Sequence, residues 1–355
     1  MIRSLILACM ITAATGPCAA QDLPPLRPLS MPDPIRAASL PFDLAFPAPT
    51  AEGRWNVTAG LTWFNMWSTV WEMTQVHQEF GFDPTTAPIP AEFRALEDQY
   101  SSEQFHFIDI EGNIFEFGAT RGLPGGWTVG IRVPWMTIGQ PKWDGFIEQW
   151  HSWFGLTQSH RDSFPRSENL VYIRGRHGVL EEGELGGSGL GDISVSLATP
   201  GLDLIGGRHR AVFAIEAPTG DTGTLRGSGG WDLGLRLHST WTWRRSRLQA
   251  TAGLNFLDDH GDLLGIPRAD TWFAGTSYEF RLGQRWTVTA AASFESSPLA
   301  DFTDGEAGEP ALYRVLAVAF DLGPEWIAEL QYGTNKDGMG IAPDTAFRLV
   351  VSHTR

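Results

Sequence analysis

The sequence predicts an all-β fold: a twelve-stranded, antiparallel, up-and-down transmembrane β-barrel, with a Pro-rich N-terminal segment and a short amphipathic helix in the second external loop. Three observations carry this. Apolar and polar residues alternate with a period of two along twelve stretches of the chain. The connections between those stretches are short and long in strict turn. The acidic residues gather in the long connections. Composition narrows the alternatives. Of 355 residues, 12% are aromatic and 19% charged, which excludes a disordered chain, because such chains lack aromatics. A net charge of −15 offers no basic face to phosphates, so no nucleic-acid partner is expected. No apolar run is long enough for a helix to span a membrane.

Residues 1–20 read as a signal peptide. Met1-Ile2-Arg3 is a short basic start, and Leu5 to Ala14 is an apolar stretch. Gly16, Pro17, Cys18, Ala19 and Ala20 are small residues suited to cleavage after Ala20. Both cysteines, Cys9 and Cys18, fall inside this segment, so the mature chain is expected to have no disulfide or thiol chemistry. Residues 21–53 follow, with prolines at 24, 25, 28, 32, 34, 41, 47 and 49. Each proline removes a backbone donor, so neither helix nor sheet runs through this segment. Two readings stay open. The segment is an extended periplasmic tether, or it is a plug, with Leu40 to Phe46 tucked into a cavity.

Residues 54–355 form the barrel. In Trp231 to Trp243, the residues Trp231, Leu233, Leu235, Leu237, Trp241 and Trp243 share one face. Asp232, Gly234, Arg236, His238, Thr240 and Thr242 share the other. That is a strand with one apolar and one polar side. The apolar side packs on a second sheet in a sandwich and faces lipid in a barrel, and periodicity does not choose between them. The connections do. Strands are expected at 54–67, 105–120, 127–138, 190–199, 208–217, 231–243, 247–257, 270–282, 285–296, 311–322, 325–334 and 345–354. Most are near the roughly ten residues a tilted strand needs to cross a bilayer. Short turns (121–126, 200–207, 244–246, 283–284, 323–324) alternate with long loops (68–104, 139–189, 218–230, 258–269, 297–310, 335–344). An outer-membrane barrel has this signature, and its even strand number returns both termini to the periplasm. The long loops hold 24 acidic against 9 basic residues, which accounts for the whole net charge. Trp55, Trp127, Trp243, Trp286 and Trp326 all fall at the short-turn end, where an interfacial girdle is favoured. The C-terminus, Ser352-His353-Thr354-Arg355, lacks the terminal aromatic residue that many such barrels carry.

The second long loop contains Trp143-Asp-Gly-Phe-Ile-Glu-Gln-Trp-His-Ser-Trp-Phe-Gly-Leu156 and continues through His160-Arg161-Asp162-Ser163-Phe164-Pro165-Arg166. With Ser188-Gly-Leu-Gly-Asp192, Pro218-Thr-Gly-Asp221 and Gly227-Ser-Gly-Gly230, it resembles a bacterial outer-membrane family catalogued as domain of unknown function 3187. The resemblance spans most of residues 25–355. It implies an outer-membrane location and a barrel, and no particular activity. Read physically, the same loop holds an amphipathic helix. Phe146, Ile147, Trp150, Trp153 and Phe154 follow helical spacing along one stripe, with His151 and Arg161 in or after it. Asp144 suits the positive end of the helix dipole and Gly155 the stop. The stripe either packs on the rim or in lipid headgroups, or folds into the mouth as a lid.

Catalytic motifs are absent: there is no G-x-S-x-G, no H-E-x-x-H and no phosphate loop with lysine. No catalytic residue and no bound metal are assigned. His77, His151 and His160 lack tight ligand spacing, whereas the acidic external loops suit Ca²⁺ or Mg²⁺. A lipid hydrolase needs a nucleophile beside a histidine, and Ser101 or Ser102 with His106 are the nearest candidates. The polar faces put Arg132, Asp232, Arg236, His238, Glu279, Arg281, Glu295, Glu329 and Arg348 in the lumen. Asp192, Arg210, Glu216 and Arg285 are expected there too. Mixed signs at close range suggest paired ladders in a narrow pore. The expected function is passive passage or binding of a small solute in the outer membrane of a Gram-negative cell. A structural or lipid-interacting barrel with a closed lumen comes second, and a lipid hydrolase third. Expected partners are outer-membrane lipid, lipopolysaccharide, the solute, and the barrel assembly machinery during biogenesis.

Overall fold

The computed structural model describes residues 29, 34–35, 40, 50–69, 106–139, 144–155, 169–176, 178–182, 185–335 and 340–355. The expected signal peptide lies outside them, as do Arg161, His77, His160, Ser101 and Ser102. In chain order the elements are β1 (Trp55–Thr69), β2 (His106–Gly122), β3 (Thr128–Ile138), helix α1 (Asp144–Phe154), β4 (Leu170–Gly175), β5 (Gly178–Glu182), β6 (Gly187–Leu190), β7 (Ile193–Ala198), β8 (Leu202–Leu204) and β9 (Gly207–Ala217). They continue with β10 (Asp232–Thr242), β11 (Ser246–Phe256), β12 (Asp262–Leu263), β13 (Ile266–Pro267), β14 (Thr271–Leu282), β15 (Trp286–Glu295), β16 (Ala311–Asp321), β17 (Trp326–Thr334) and β18 (Thr345–Thr354).

Twelve staves go round a closed antiparallel barrel: β1, β2, β3, β6 with β7, β9, β10, β11, β14, β15, β16, β17 and β18. Closure joins the first strand to the last. Asn56 to Asn65 of β1 face Thr354 to Thr345 of β18. Trp55 N–H donates to the Arg355 carbonyl and Arg355 N–H to that of Trp55, each at 2.8 Å. The wall thereby has no free sheet edge, which lipid requires. The expected strands all form, with boundaries shifted by a few residues.

The period of two sorts the side chains. Leu233, Leu235 and Leu237 of β10 are exposed on the outer face, while Asp232, Arg236 and His238 are buried on the inner one. The outer face carries a belt of Leu, Ile, Val and Phe between two rings of tryptophan. Trp55, Trp127, Trp243, Trp286 and Trp326 are exposed at the turn end. Trp135, Trp231 and Trp272 are exposed toward the loop end, forming a second girdle that the sequence reading had not separated out.

The fourth stave is broken. Trp135 of β3 pairs with Leu190 of β6, and Arg132 pairs with Ser194 of β7. Two residues of β3 therefore face three of the neighbouring stave, which is a β-bulge. Pro134 explains its position, since proline has no N–H for the ladder and sits in sheets at bulges. Its carbonyl still accepts from Gly191 N–H at 2.9 Å. The bulge turns the Asp192 side chain inward.

β1 and β2, at 15 and 17 residues, rise above the other staves. There the hairpin β4–β5 adds to β2, pairing Leu170 to Ile173 with Asp109 to His106. Helix α1 does not crown the mouth. Outward-facing Asn65, Trp67, Phe107, Asp109, Glu111 and Thr345 are all buried at this end, so the loop end is wrapped from outside.

The fold has a direct check. Unboiled protein in detergent should migrate differently from boiled protein and give a β-type circular dichroism spectrum. Identical migration with a helical spectrum would contradict the barrel.

Candidate functional site

The interior is the candidate site, and it divides by height. Over most of its height the inner wall is polar, and several of its charges are paired. Glu116 is a hub. One carboxylate oxygen accepts from Arg348 Nη2 at 2.8 Å, and the other lies against the Arg132 guanidinium. Arg348 is 1% exposed and packs over Gly60, where a Cβ would lie 3.3 Å from its guanidinium. Arg247 donates to Glu279 across β11 and β14 at 3.1 Å. Arg281 donates to Asp321 at 2.7 Å and also to the Gln284 carbonyl. Gln331 donates to Glu329 at 2.7 Å, and at the loop end of β15 Ser293 donates to Glu295 at 3.1 Å. His238 Nδ1 and Thr251 Oγ1 are 3.0 Å apart, and Arg236 is buried on the same strand. Arg210 donates to the Thr199 carbonyl and to Thr128 Oγ1.

All nine lumen residues picked out by alternation lie on the inner face. Arg285 does not: it lies exposed in the turn between β14 and β15, beyond the point where the strand alternation applies. Glu116, Arg247 and Asp321 were overlooked, although Glu116 and Asp321 sit between outward apolar neighbours and Arg247 keeps the alternation of its strand.

Toward the loop end the inner face turns apolar. Phe64, Met66, Ile110, Ile114, Met136 and Ile138 point inward and are buried. They form one core with Leu225, Leu263, Ile266, Leu299 and Ile341 from four different loops. The residues assigned to the lumen from the sequence are all polar. The difference arises because the inward positions of β1, β2 and β3 change from Thr and Glu to Ile, Phe and Met above the membrane belt.

Beside this core the glycine motifs become one structure. Asp192 Oδ1 accepts from Gly220 N–H at 2.7 Å and Oδ2 from Ser228 N–H at 2.6 Å. Thr219 Oγ1 donates to the Gly191 carbonyl at 2.8 Å. A Cβ on Gly220 would lie 2.1 Å from the Arg226 carbonyl, and one on Gly227 2.7 Å from Asp192 Oδ1, so neither site admits a side chain. Asp221 accepts from Arg226, Thr224 and Gly223, which lower its pKa against the opposing effect of burial. Arg268 grips Asp232 with two bonds of 2.7 and 2.9 Å, both side chains fully buried. Its sequence signal was slight: it is the one basic residue in 258–269. Asp258 accepts from His260 N–H, the His260 ring and Trp231 N–H, which hold its carboxyl down to about 2.

Helix α1 forms as its spacing predicts, beginning at Asp144. It is not a lid. Trp150 meets Phe347 edge-on at 5.3 Å and Tyr332 at 5.5 Å, and Phe146 meets Phe347 at 6.0 Å. Phe347 and Tyr332 both point outward, so the helix lies on the outer wall. Ile147 and His151 are buried beneath it, with His151 Nε2 3.3 Å from Thr345 Oγ1. Phe146, Trp153 and Phe154 remain exposed. The stripe is thus split, one part to the wall and one to the surroundings.

Of the hydrolase candidates, Ser101 and Ser102 lie outside the described residues, and His106 is described. His106 Nε2 lies 2.8 Å from Ser68 Oγ and 3.7 Å from Glu306 Oε2. The group faces the interior and is buried, away from lipid. Among the described residues, no three His, Cys, Asp or Glu side chains come together to hold a metal.

Residues 94–354 match the model of a family described as a protein of unknown function, DUF3187. No curated protein matches the chain. Among solved structures, the COG4313 outer-membrane channel from Pseudomonas putida F1 aligns at 10% identity with a TM-score of 0.53, covering 86% of this chain and 98% of that one. A FadL homologue of Pseudomonas aeruginosa aligns at 12% identity and a TM-score of 0.37, covering 95% and 99%. The KdgM porin in complex with disordered oligogalacturonate aligns at 8% and 0.40, covering 68% and 92%. At these identities the likeness is one of fold alone.

The Glu116 hub makes a quantitative prediction. Arg348→Ala should destabilise the barrel by about 3 kcal/mol, because it removes one of the two partners of a buried carboxylate. Pairing it with Glu116→Gln should recover part of that loss. The temperature at which the unboiled gel band converts to the boiled one measures both.

Proposed function

This chain belongs to the DUF3187 family, and from that premise and its lumen we propose an outer-membrane barrel through which a small polar solute crosses along the inner wall. One observation carries the reading. Arg210 Nη1, Glu216 Oε1, Ser277 Oγ, Thr287 Oγ1 and Ser352 Oγ are buried on the inner face with no hydrogen-bond partner among the described residues. Buried polar atoms take partners from protein or water. A wall that leaves such atoms open on four strands, β9, β14, β15 and β18, is suited to water and to a solute that replaces it. A dry structural core would have matched or omitted them.

In this reading the chain is exported by its first 20 residues to the outer membrane of a Gram-negative cell, with the short turns and both termini in the periplasm. Outer-leaflet lipid and lipopolysaccharide meet the outer belt, and the assembly machinery inserts the barrel. The second reading is a structural or lipid-interacting barrel with a closed lumen. The apolar core at the loop end favours it, since that core obstructs the mouth. The two differ in whether the interior ever opens.

Two measurements follow. A cysteine at Asp304 should be labelled on intact cells and one at Ser246 should not, and the reverse pattern would invert the topology. In planar bilayers the intact protein should give small conductance steps that favour cations, because the acidic loops surround the entry. The preference should fade as the screening length falls from about 10 Å at 0.1 M salt to about 3 Å at 1 M. Silence from both the intact protein and a form with its interior emptied would overturn the passage reading.

A further inference from the structure

We infer that helix α1 is an in-plane membrane anchor, whose one apolar edge docks into the lipid leaflet at the loop end, where headgroups meet acyl chains. The inference needs the barrel in a bilayer and needs nothing to pass through it. Two contacts fix how the helix is turned about its axis. Trp150 lies against Phe347 and Tyr332, with ring centroids 5.3 and 5.5 Å apart. The next residue, His151, reaches Thr345, with Nε2 3.3 Å from its Oγ1. Thr345 stands two residues nearer the loop end of β18 than Phe347 does. Two strand residues span about 7 Å along the wall. The turn of about 100° from one helical residue to the next therefore leads from the membrane side of the helix to its loop side.

The other side chains follow from that turn. Phe146 and Trp153 lie about 40° and 60° beyond Trp150, on the side away from His151. They form the edge that faces down the wall, and they are 39% and 64% exposed. Asp144 and Glu148 lie about 20° and 60° past His151, on the edge that faces the loops. One outward position further down from Tyr332 and Phe347 stand Leu330 and Leu349, which pair with each other and are exposed on the belt. The apolar edge of the helix is thus continuous with the lipid-facing wall, and lipid is the occupant that this continuity calls for. Tryptophan is favoured at the boundary between membrane and water, and a helix with one apolar and one charged side lies in its plane. The helix has no lysine or arginine, and both its acids are on the loop-facing edge. Its hold on the leaflet is therefore apolar contact and not attraction to anionic headgroups.

Cys9 and Cys18 are the chain's two cysteines, so residues 21–355 give a cysteine-free background for a single nitroxide. Trp153→Cys and Ser152→Cys place it on adjacent residues, both exposed and on different sides of the helix. The barrel is studied in phosphatidylcholine vesicles, with oxygen and a water-soluble nickel chelate present on both sides. At 153 oxygen, which concentrates among acyl chains, should relax the nitroxide severalfold more than nickel does. At 152 the order should reverse. Leu349→Cys on the belt and Asp304→Cys in a loop mark the two ends of the scale. The contrast should be the same at about 0.1 M and about 1 M salt, because no long-range charge attraction is there to be screened. A label at 153 as open to nickel as the one at 152 puts the helix in water and overturns the anchor. Shielding at 153 from both reagents gives the edge to a protein neighbour and overturns lipid as its occupant. A contrast lost at high salt overturns the apolar hold. Should Trp153→Cys lose the heat-dependent gel shift, Phe146→Cys takes its place with the same outcomes.

Discussion

The seam between β1 and β18 is the constraint on which the remaining structure depends. With the sheet closed, no strand has a free edge, and each residue has one of two fates: the lipid side or the interior. Because the side-chain period is two, a charge needed anywhere in the wall must turn inward, and there it meets charges from the opposite strands. The Arg348–Glu116–Arg132 cluster stands beside that seam, tying β18 to β2 and β3 across β1. Closure therefore creates the buried charges and also brings them into reach of one another.

The interior resolves that constraint in two ways at two heights. Within the membrane belt, polar groups pair across neighbouring strands and leave some hydrogen-bonding capacity open. Above the belt, where the outside is no longer lipid, the alternation loses its purpose. The inward positions become apolar and the loops pack on them, while outward positions such as Asn65, Asp109 and Glu111 become covered and polar. The wall is in effect inside out at its loop end. Here the chain behaves like a soluble domain mounted on a membrane one.

Much of this was legible in the sequence. Leu233, Arg236 and Leu237 declare their sides by alternation alone, and the same rule located all twelve staves and the nine lumen residues. The rule failed where its premise failed. Arg285 lies in a turn, where alternation carries no meaning. The bulge at Gly191 and Asp192 was hidden because its cause, Pro134, sits on the neighbouring strand. Arg268 and Glu116 matter through partners far off in the chain, Asp232 and Arg348, and pairings of that kind are set by strand order rather than by local pattern. The helix was legible as a helix, but its side was not. A stripe of Phe146, Trp150 and Trp153 is equally content against an inner or an outer surface, and only Phe347 and Tyr332 settle which.

The position of that helix has a consequence in the plane of the membrane. Around the loop end, the sector formed by β17, β18 and β1 is occupied by the chain's own aromatic rings. A neighbouring protein approaching from that side meets Trp153 and Phe154 before it meets the wall. The bare flank is the opposite one, where β9, β10, β11 and β14 present Phe213, Leu235, Leu254 and Trp272 without cover. The molecule therefore has a front and a back as seen by its neighbours, although its staves run round it without interruption.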